Sequence, residues 1–358
     1  MRFDQLRIQG LRCLTDVTLD LDAGINVFVG DNGAGKTSVL EAAFLLSHAR
    51  SFRTSAREAL TQRGTAAFSV YAELMRGDAR LSRLGLGRAG NRWEARVDGQ
   101  SAALGQLVRD CAVVCFEPGS HALIAGAADE RRRYLDWGVF HVEQSFMPAW
   151  RRYQRALKQR NSLLRSENPS EGLLLPWEAE LAQSGALIDQ QRQAYLGLLK
   201  PKLAEEASAL LPELGTLELK YKRGWPDDRD LGEQLSISRA RDISRGHTTA
   251  GVHRADWSLA FEGAPLREHL SRGQEKLTAL SCMLAQAAVY ADRCGEWPIV
   301  ALDDLASELD EAHQRLVVER LAGAGAQILV TGTDVPGALR DAKVIVFHVE
   351  QGVVKPLL

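Results

Sequence analysis

Two segments of phosphate-handling type lie at opposite ends of this chain. Near the start, Gly30-Asp31-Asn32-Gly33-Ala34-Gly35-Lys36-Thr37 closes an apolar strand (Ile25, Val27, Val29) and opens a helix over Ser38 to Leu46. Near the end, Ile299-Val300-Ala301-Leu302-Asp303-Asp304 is an apolar run ending in two carboxylates. Glycines at 30, 33 and 35 let the backbone curl so that its N–H groups point at phosphates. Lys36 supplies a cation to β/γ oxygens, Thr37 a hydroxyl for Mg²⁺, and Ser38 continues the loop into its helix. A glycine-rich turn with an incidental lysine is the alternative, and the full pattern in a strand-to-helix context argues against it. ATP or GTP binding follows. In a compact P-loop enzyme the metal-binding acid follows the loop closely; here over two hundred residues intervene, so a large insertion is expected.

The Asp-Asp run reads as a buried parallel strand with its acids at the C-terminal edge. Asp303 there can hold Mg²⁺ while Asp304 orients or deprotonates the attacking water; a strand followed by an acidic turn is the bland reading. Leu270-Ser271-Arg272-Gly273-Gln274, about 25 residues earlier, opens another helix. Ser-x-x-Gln is a capping box needing no function, yet a capped helix start also presents N–H groups and a positive dipole end to a phosphate. Together these segments have the layout of an ABC-type P-loop ATPase head, with Ser271, Gly273 and Gln274 as a signature motif. Ser307-Glu308-Leu309-Asp310 resembles the D-loop of such ATPases, which crosses the dimer interface.

The remaining pattern divides the chain into an N-terminal head segment, 1–130, a helical arm, 131–215, and a C-terminal head segment, 216–358. The fold class expected is α/β, an SMC-like ABC-type head with a short helical-arm insertion. Alternation at Leu6 and Ile8, at Val17, Leu19 and Leu21, and at Phe68, Val70 and Ala72 predicts antiparallel strands. Leu81–Leu86 and Arg92–Val97, joined through residues 87–91, predict a hairpin. In the arm, Trp150, Tyr153, Leu157 and Leu164 form one stripe. Trp177, Leu181, Ile188, Tyr195 and Leu198 form another, with a turn at Asn168–Gly172 between them. Further strands are expected around Leu219 and Leu259, at Gln327–Thr331 and at Val344–His348. There is no internal repeat and no low-complexity tract.

With 358 residues, 45% hydrophobic and 25% charged, the composition is that of an ordinary globular protein long enough for two domains. No apolar run approaches membrane-spanning length and the start lacks a signal-peptide core, so a cytoplasmic protein is expected. The five cysteines have no metal-like spacing and read as reduced core thiols. A net charge of −2 confines any nucleic-acid contact to a local patch. The first arm helix is the best candidate, because Arg151, Arg152, Arg155, Lys158, Arg160 and Arg165 occur with no acid between Glu143 and Glu167. Of these, Arg151, Arg155, Lys158 and Arg165 share one helical face. A solvated face, or pairing with Glu178 and Glu180 of the second arm helix, is the competing reading.

Three segments carry a more specific resemblance: Gly30 to Ala42 continuing to Arg50-Ser51-Phe52-Arg53-Thr54, Thr248 to Asp256, and Leu302 to Asp310. They resemble the RecF family of bacterial recombination mediator ATPases, related to the SMC heads, and the likeness runs essentially through the whole chain. Val252 stands where proline is expected, and Thr331 or Thr333 occupies the ground of the switch histidine of many ABC ATPases. The resemblance implies an ATP- and Mg²⁺-dependent homodimer and a slow, DNA-stimulated ATPase. It also implies binding to single-stranded and duplex DNA at gapped junctions, and partnership with RecR and RecO in loading RecA. For His253, Arg254 and Asp256 it suggests an interlobe or DNA-facing role against a plain buried polar cluster. Arg12 and Arg53 become candidates for contact with adenine or phosphate. The ATPase subunit of a membrane transporter, which shares the P-loop, signature and D-loop logic, is the alternative.

Overall fold

The computed structural model describes residues 1–90, 92–167 and 169–357. Asn91 of the expected hairpin turn and Asn168 of the expected arm turn lie outside the described residues. The chain divides into two compact units, one formed by Met1–Ser120 with Cys282–Leu358 and the other by His121–Ser281.

The first unit holds two six-stranded sheets. One is parallel except at its edge, in the order Val353–Leu357, Val344–Glu350, Ile25–Val29, Ile328–Gly332, Ile299–Leu302, Val113–Phe116. Ile25–Val29, Ile299–Leu302 and Ile328–Gly332 are buried at every position, as strands covered on both faces must be. The other sheet is antiparallel: Leu14–Asp20, Arg2–Leu11, Ala67–Met75, Leu81–Ala89, Arg92–Val97, Gln100–Ala102. Here burial alternates, so that Phe68, Val70, Ala72 and Leu74 face inward. Leu21, expected in the second strand, falls just beyond it. The helix Lys36–His48 opens two residues earlier than its apolar pattern suggests, and its Val39, Leu40, Ala43 and Leu46 join both sheets in one core. Gln327, wholly buried, fastens the sheets to each other. Its amide accepts from Phe3 N (2.8 Å) and donates to Phe3 O (2.8 Å) and Asp22 O (2.7 Å), which leaves no buried polar atom of that side chain unmatched.

The second unit is built on the helices Ala128–Val142, Phe146–Leu164, Glu171–Leu210 and Leu231–Arg245, with the antiparallel strand pair Leu217–Lys222 and Asp256–Phe261. Phe146–Leu164 packs along Glu171–Leu210. Of the expected stripes, Tyr153, Leu164, Leu181, Ile188 and Tyr195 are buried. Leu198 is not: it is 39% exposed, and Leu199 and Leu203 take its place in the core. A straight helix drifts about 20° per heptad against a strict seven-residue repeat, so over a 40-residue helix the buried stripe steps by four instead of three.

Two sets of buried polar groups here are closely matched. Arg160, fully buried, donates from Nε and Nη2 to Glu178 Oε1 (3.1 and 2.9 Å) and from Nη1 to Asp242 Oδ2 (2.8 Å) and Thr248 Oγ1 (2.9 Å). His253 lies between Tyr153 and the carbonyl of Thr248, at 2.7 Å from Nδ1 and 3.1 Å from Nε2. A carbonyl can only accept, so Nε2 carries the proton and Nδ1 accepts from the tyrosine hydroxyl. Burial holds the imidazole neutral, with its pKa lowered to about 4.

This neutral histidine makes a pH prediction. Its folded pKa lies below its unfolded value, so the unfolded chain takes up the proton first, and stability is lost as pH falls from about 6.5 toward 4. In urea titrations at pH 7 and pH 5, the wild type should lose about 1–2 kcal/mol more than His253→Gln. Equal losses in the two proteins would show that His253 titrates normally in the fold.

Candidate nucleotide site and basic arm helix

The parallel register brings the C-terminal ends of Ile25–Val29, Ile328–Gly332 and Ile299–Leu302 to one edge, the edge where ligands of open α/β sheets gather. From the first of these strands the chain turns through Gly30 (φ 152°), where a Cβ would stand 2.1 Å from Val349 O, so that no other residue fits. Gly35, at φ 118°, turns the chain into the helix. Lys36 is folded over the loop, its Nζ donating to Gly30 O (2.7 Å) and Asp31 O (2.9 Å). Asn32 and Gly33 are exposed at the tip, while Ala34 and Ser38 are buried beneath it.

Asp303 meets this loop from the far strand. Its Oδ1 accepts from Thr37 Oγ1 at 2.9 Å and from Thr331 Oγ1 at 2.6 Å, and Thr331 Oγ1 accepts in turn from Asp304 N at 2.8 Å. Burial raises the Asp303 pKa above the ordinary carboxylate value, opposed by the hydroxyl hydrogen bonds from Thr331 and Thr37. Asp304 is left-handed, at φ 53°, an arrangement that costs a non-glycine residue on the order of 1 kcal/mol and turns its side chain into the cavity. Of the two threonines on the switch-histidine ground, Thr331 is committed to the Asp-Asp edge and Thr333 is exposed. The open cavity, about 670 Å³, is lined by Lys36, Thr37, Arg53, Asp303, Asp304 and Thr331 among others. Lysine, backbone N–H groups, a hydroxyl and two carboxylates in one cavity can bind a polyphosphate and a hard cation together.

One residue of this neighbourhood lies within the segment Gly30 to Ala42 but has no assigned role there, being simply an acid in an apolar helix. Glu41 is fully buried and receives Arg12 in a two-pronged pair, Nε to Oε2 (2.8 Å) and Nη2 to Oε1 (2.7 Å). It also accepts from the Ser51 hydroxyl, whose oxygen takes the N–H of Arg53 (2.9 Å) and of Thr54 (3.1 Å). Arg12 gives its remaining nitrogen to Ala59 O (2.7 Å). The hydrogen bonds to Glu41 hold the Arg12 pKa above its ordinary value. Arg12 is thus engaged by protein, whereas Arg53, 3.9 Å from Glu41, reaches into the cavity about half-exposed.

In the second unit, both bonds of the capping box are made: Ser271 N donates to Gln274 Oε1 (3.0 Å) and Gln274 N to Ser271 Oγ (3.3 Å). Ser271 and Gly273 are exposed at the start of the helix Arg272–Cys294. Gln274 also donates to Glu213 (3.2 Å). In the first unit, Asp310 caps the helix Glu311–Gly323 by accepting from His313 N (2.9 Å).

The basic run of Phe146–Leu164 separates into two kinds of residue. Arg152 pairs with Glu180 (2.6 Å) and Arg160 lies in the buried set with Glu178. Arg151, Arg155, Lys158 and Arg165 are exposed and make no ion pair among the described residues. His253 and Asp256 belong to polar contacts of the fold, Asp256 holding Arg131 through two bonds (2.7 and 3.0 Å), while Arg254 is exposed.

A strand–loop–helix with buried lysine and an acid-tipped strand two places away in a parallel sheet, together with an antiparallel sheet on the same core, define an SMC-like ABC-type ATPase head. The family model for the RecF/RecN/SMC N terminal domain matches residues 2–355. The chain is 47% identical to the DNA replication and repair protein RecF of Stenotrophomonas maltophilia over 98% of both chains. To that of Pseudomonas aeruginosa it is 40% identical, over 98% of this chain and 97% of the relative. The solved structure of the recombination mediator protein RecF-ATP in the RecFOR pathway superposes with a TM-score of 0.91 at 26% identity, covering 99% of this chain and 97% of that one. An Smc head bound to the C-winged helix domain of ScpA shares the fold with a TM-score of 0.58 at 15% identity. The chain belongs to the RecF family.

Glu41 can be tested through stability. Glu41→Gln keeps the shape but strips the charge that Arg12 requires, and the loss should be about 1.5–3 kcal/mol in denaturant titrations. A change within about 0.5 kcal/mol would mean that water already satisfies Arg12.

Proposed function

We propose that this chain is an ATP-driven DNA clamp of recombinational repair and replication-fork maintenance, working in the cytoplasm. The observation that carries the reading is the 2.9 Å contact between Thr37 and Asp303, 266 residues apart, beside Lys36 in a chain of RecF type. The loop N–H groups from Gly30 to Thr37 and the Lys36 ammonium hold the phosphates of ATP, with Asp31, Asn32 and Ser38 shaping the loop. Thr37 and Asp303 are hard oxygen donors that suit Mg²⁺, which when bound neutralises phosphate charge. Asp304 orients and deprotonates the attacking water. Ser271 and Gly273 of a second copy, with Gln274 holding the cap, receive the γ-phosphate, so that nucleotide drives dimerisation and hydrolysis dissolves it.

The relatives named for DNA replication and repair, and the neighbour named for the RecFOR pathway, support the finer reading. The dimer binds gapped junctions of single-stranded and duplex DNA, Arg151, Arg155, Lys158 and Arg165 contacting phosphates. DNA stimulates a weak ATPase, and RecO and RecR join in loading RecA. The transporter reading is less well supported: the second unit carries an exposed basic face, and Asp304 stands where such subunits usually have glutamate.

An ATP-dependent gel-shift series over single-stranded, duplex and gapped DNA tests the proposal, with gapped DNA expected to bind tightest. Binding indifferent to ATP would overturn it. Asp304→Asn should keep ATP binding, lose turnover by at least about a hundredfold and remain dimeric with ATP in sedimentation. Normal turnover would remove Asp304 from its role. Ser271→Arg should bind ATP yet stay monomeric; a variant that dimerises like the wild type would leave Ser271 as a helix cap alone.

A further inference from the structure

The helix Leu231–Arg245 carries three arginines, of which only one is neutralised by an acid of the fold among the described residues. Its Arg239 is spent, paired with Glu178 (2.7 Å) and Glu171 on the helix Glu171–Leu210. Arg241 and Arg245, one turn apart, are exposed and make no ion pair among the described residues. Two like charges at i and i+4 repel, so neither is there to stabilise its neighbour. Arg245 gains something from the helix C-terminus, but Arg241 lies a turn further in.

The end of this helix is fastened to the basic arm helix Phe146–Leu164. Gly246, left-handed at φ 68°, closes it, with Gly246 N donating to Ile243 O and His247 N to Asp242 O, both at 3.2 Å. Thr248 then donates from its N and its hydroxyl to Asn161 Oδ1 (2.8 and 2.7 Å), and Arg160 reaches both Thr248 and Asp242. The Arg165 side chain lies over Gly246, its Cγ 3.1 Å from where a Cβ would be. Arg241 donates to Thr249 Oγ1 (2.7 Å), which leaves most of its guanidinium N–H groups outward. Of the acids near this place, Asp242 is buried and consumed by Arg160, Ser238 and Thr249, Glu171 is taken by Arg239, and Glu167 is exposed.

We infer that Arg241 and Arg245 form a second row of the DNA surface, continuous with Arg165 and the basic face of Phe146–Leu164, and that the surface grips the phosphate backbone without reading bases. This rests on the DNA-binding reading above and extends it to a helix outside the arm motif. A single basic row neutralises one strand, whereas two rows on adjoining helices match a duplex or a strand and its turn at a junction. Phosphate is the partner whose charge complements six exposed cations that make no ion pair among the described residues.

The test compares Arg241→Gln/Arg245→Gln with Arg151→Gln/Arg155→Gln/Lys158→Gln and with all five changes, on a gapped duplex probe at several salt concentrations. Folding is checked by circular dichroism and thermal melting. Removal of one cation from a phosphate should make the log–log salt slope shallower by about 0.9, so the double variant should lose about 1–2 units, the triple about 2–3, and the five-fold variant their sum. Arg241→Lys/Arg245→Lys should keep the wild-type slope. A reduced slope in the triple alone would overturn this inference and leave the first reading standing; wild-type slopes in both would overturn both. A shallower slope in the lysine variant as well would mean that Arg241 serves only to brace Thr249. Arg245→Gln alone, which has no side-chain hydrogen bond to lose among the described residues, should still cost about one unit, and an unchanged slope there would exclude Arg245 from the surface.

Discussion

A carboxylate buried beside a phosphate-type loop is tolerable only if it is hydrogen-bonded, and Asp303 meets that demand at Oδ1 with hydroxyls from two other segments, Thr37 and Thr331. The rest of the first unit follows from it. Thr37 can reach Asp303 only because the strand Ile328–Gly332 lies between their strands in parallel register, all three ending at one edge. Gln327, immediately before that middle strand, ties the same sheet to the antiparallel one through Phe3 and also holds Asp22 O. Thr331 at its end orders the Asp304 backbone into its left-handed turn. One strand thus supplies the spacer and both fastenings.

The second unit depends on a cation in the same way. Arg160 is wholly buried, so every one of its charge-assisted bonds must be made inside the protein, and they are made to Glu178, Asp242 and Thr248 from three separate elements. Arg160 and Arg151 belong to one run of basic residues, yet one organises the helices and the other faces water. Charge pattern alone does not separate these uses. Exposure and the position of each acid do.

Much of the local structure could be read directly. The strand before Gly30, the helix after Lys36 and the alternating strands around Ile8 and Val70 all carry periods that backbone geometry imposes on neighbouring residues. The helix Leu231–Arg245 was harder to foresee, since its buried face is mostly short or polar, Gln234, Ser238 and Asp242 among them. Leu198 misled because a heptad count and a 3.6-residue helix diverge over this length.

By itself the sequence determined the ABC-type fold class, the RecF family and the segments that bear phosphate-type chemistry, because glycine spacing, strand burial and helix starts are set within a few residues of one another. Only the tertiary structure decided which groups meet. Glu41 gathers Arg12 and Ser51, Thr331 joins Asp303, and Arg152 and Arg160 are paired while Arg155 and Lys158 stay free of ion pairs among the described residues. Those partners lie 10 to 29 positions apart on different elements, and a hydrogen bond depends on distances of a few tenths of an ångström that no local pattern encodes.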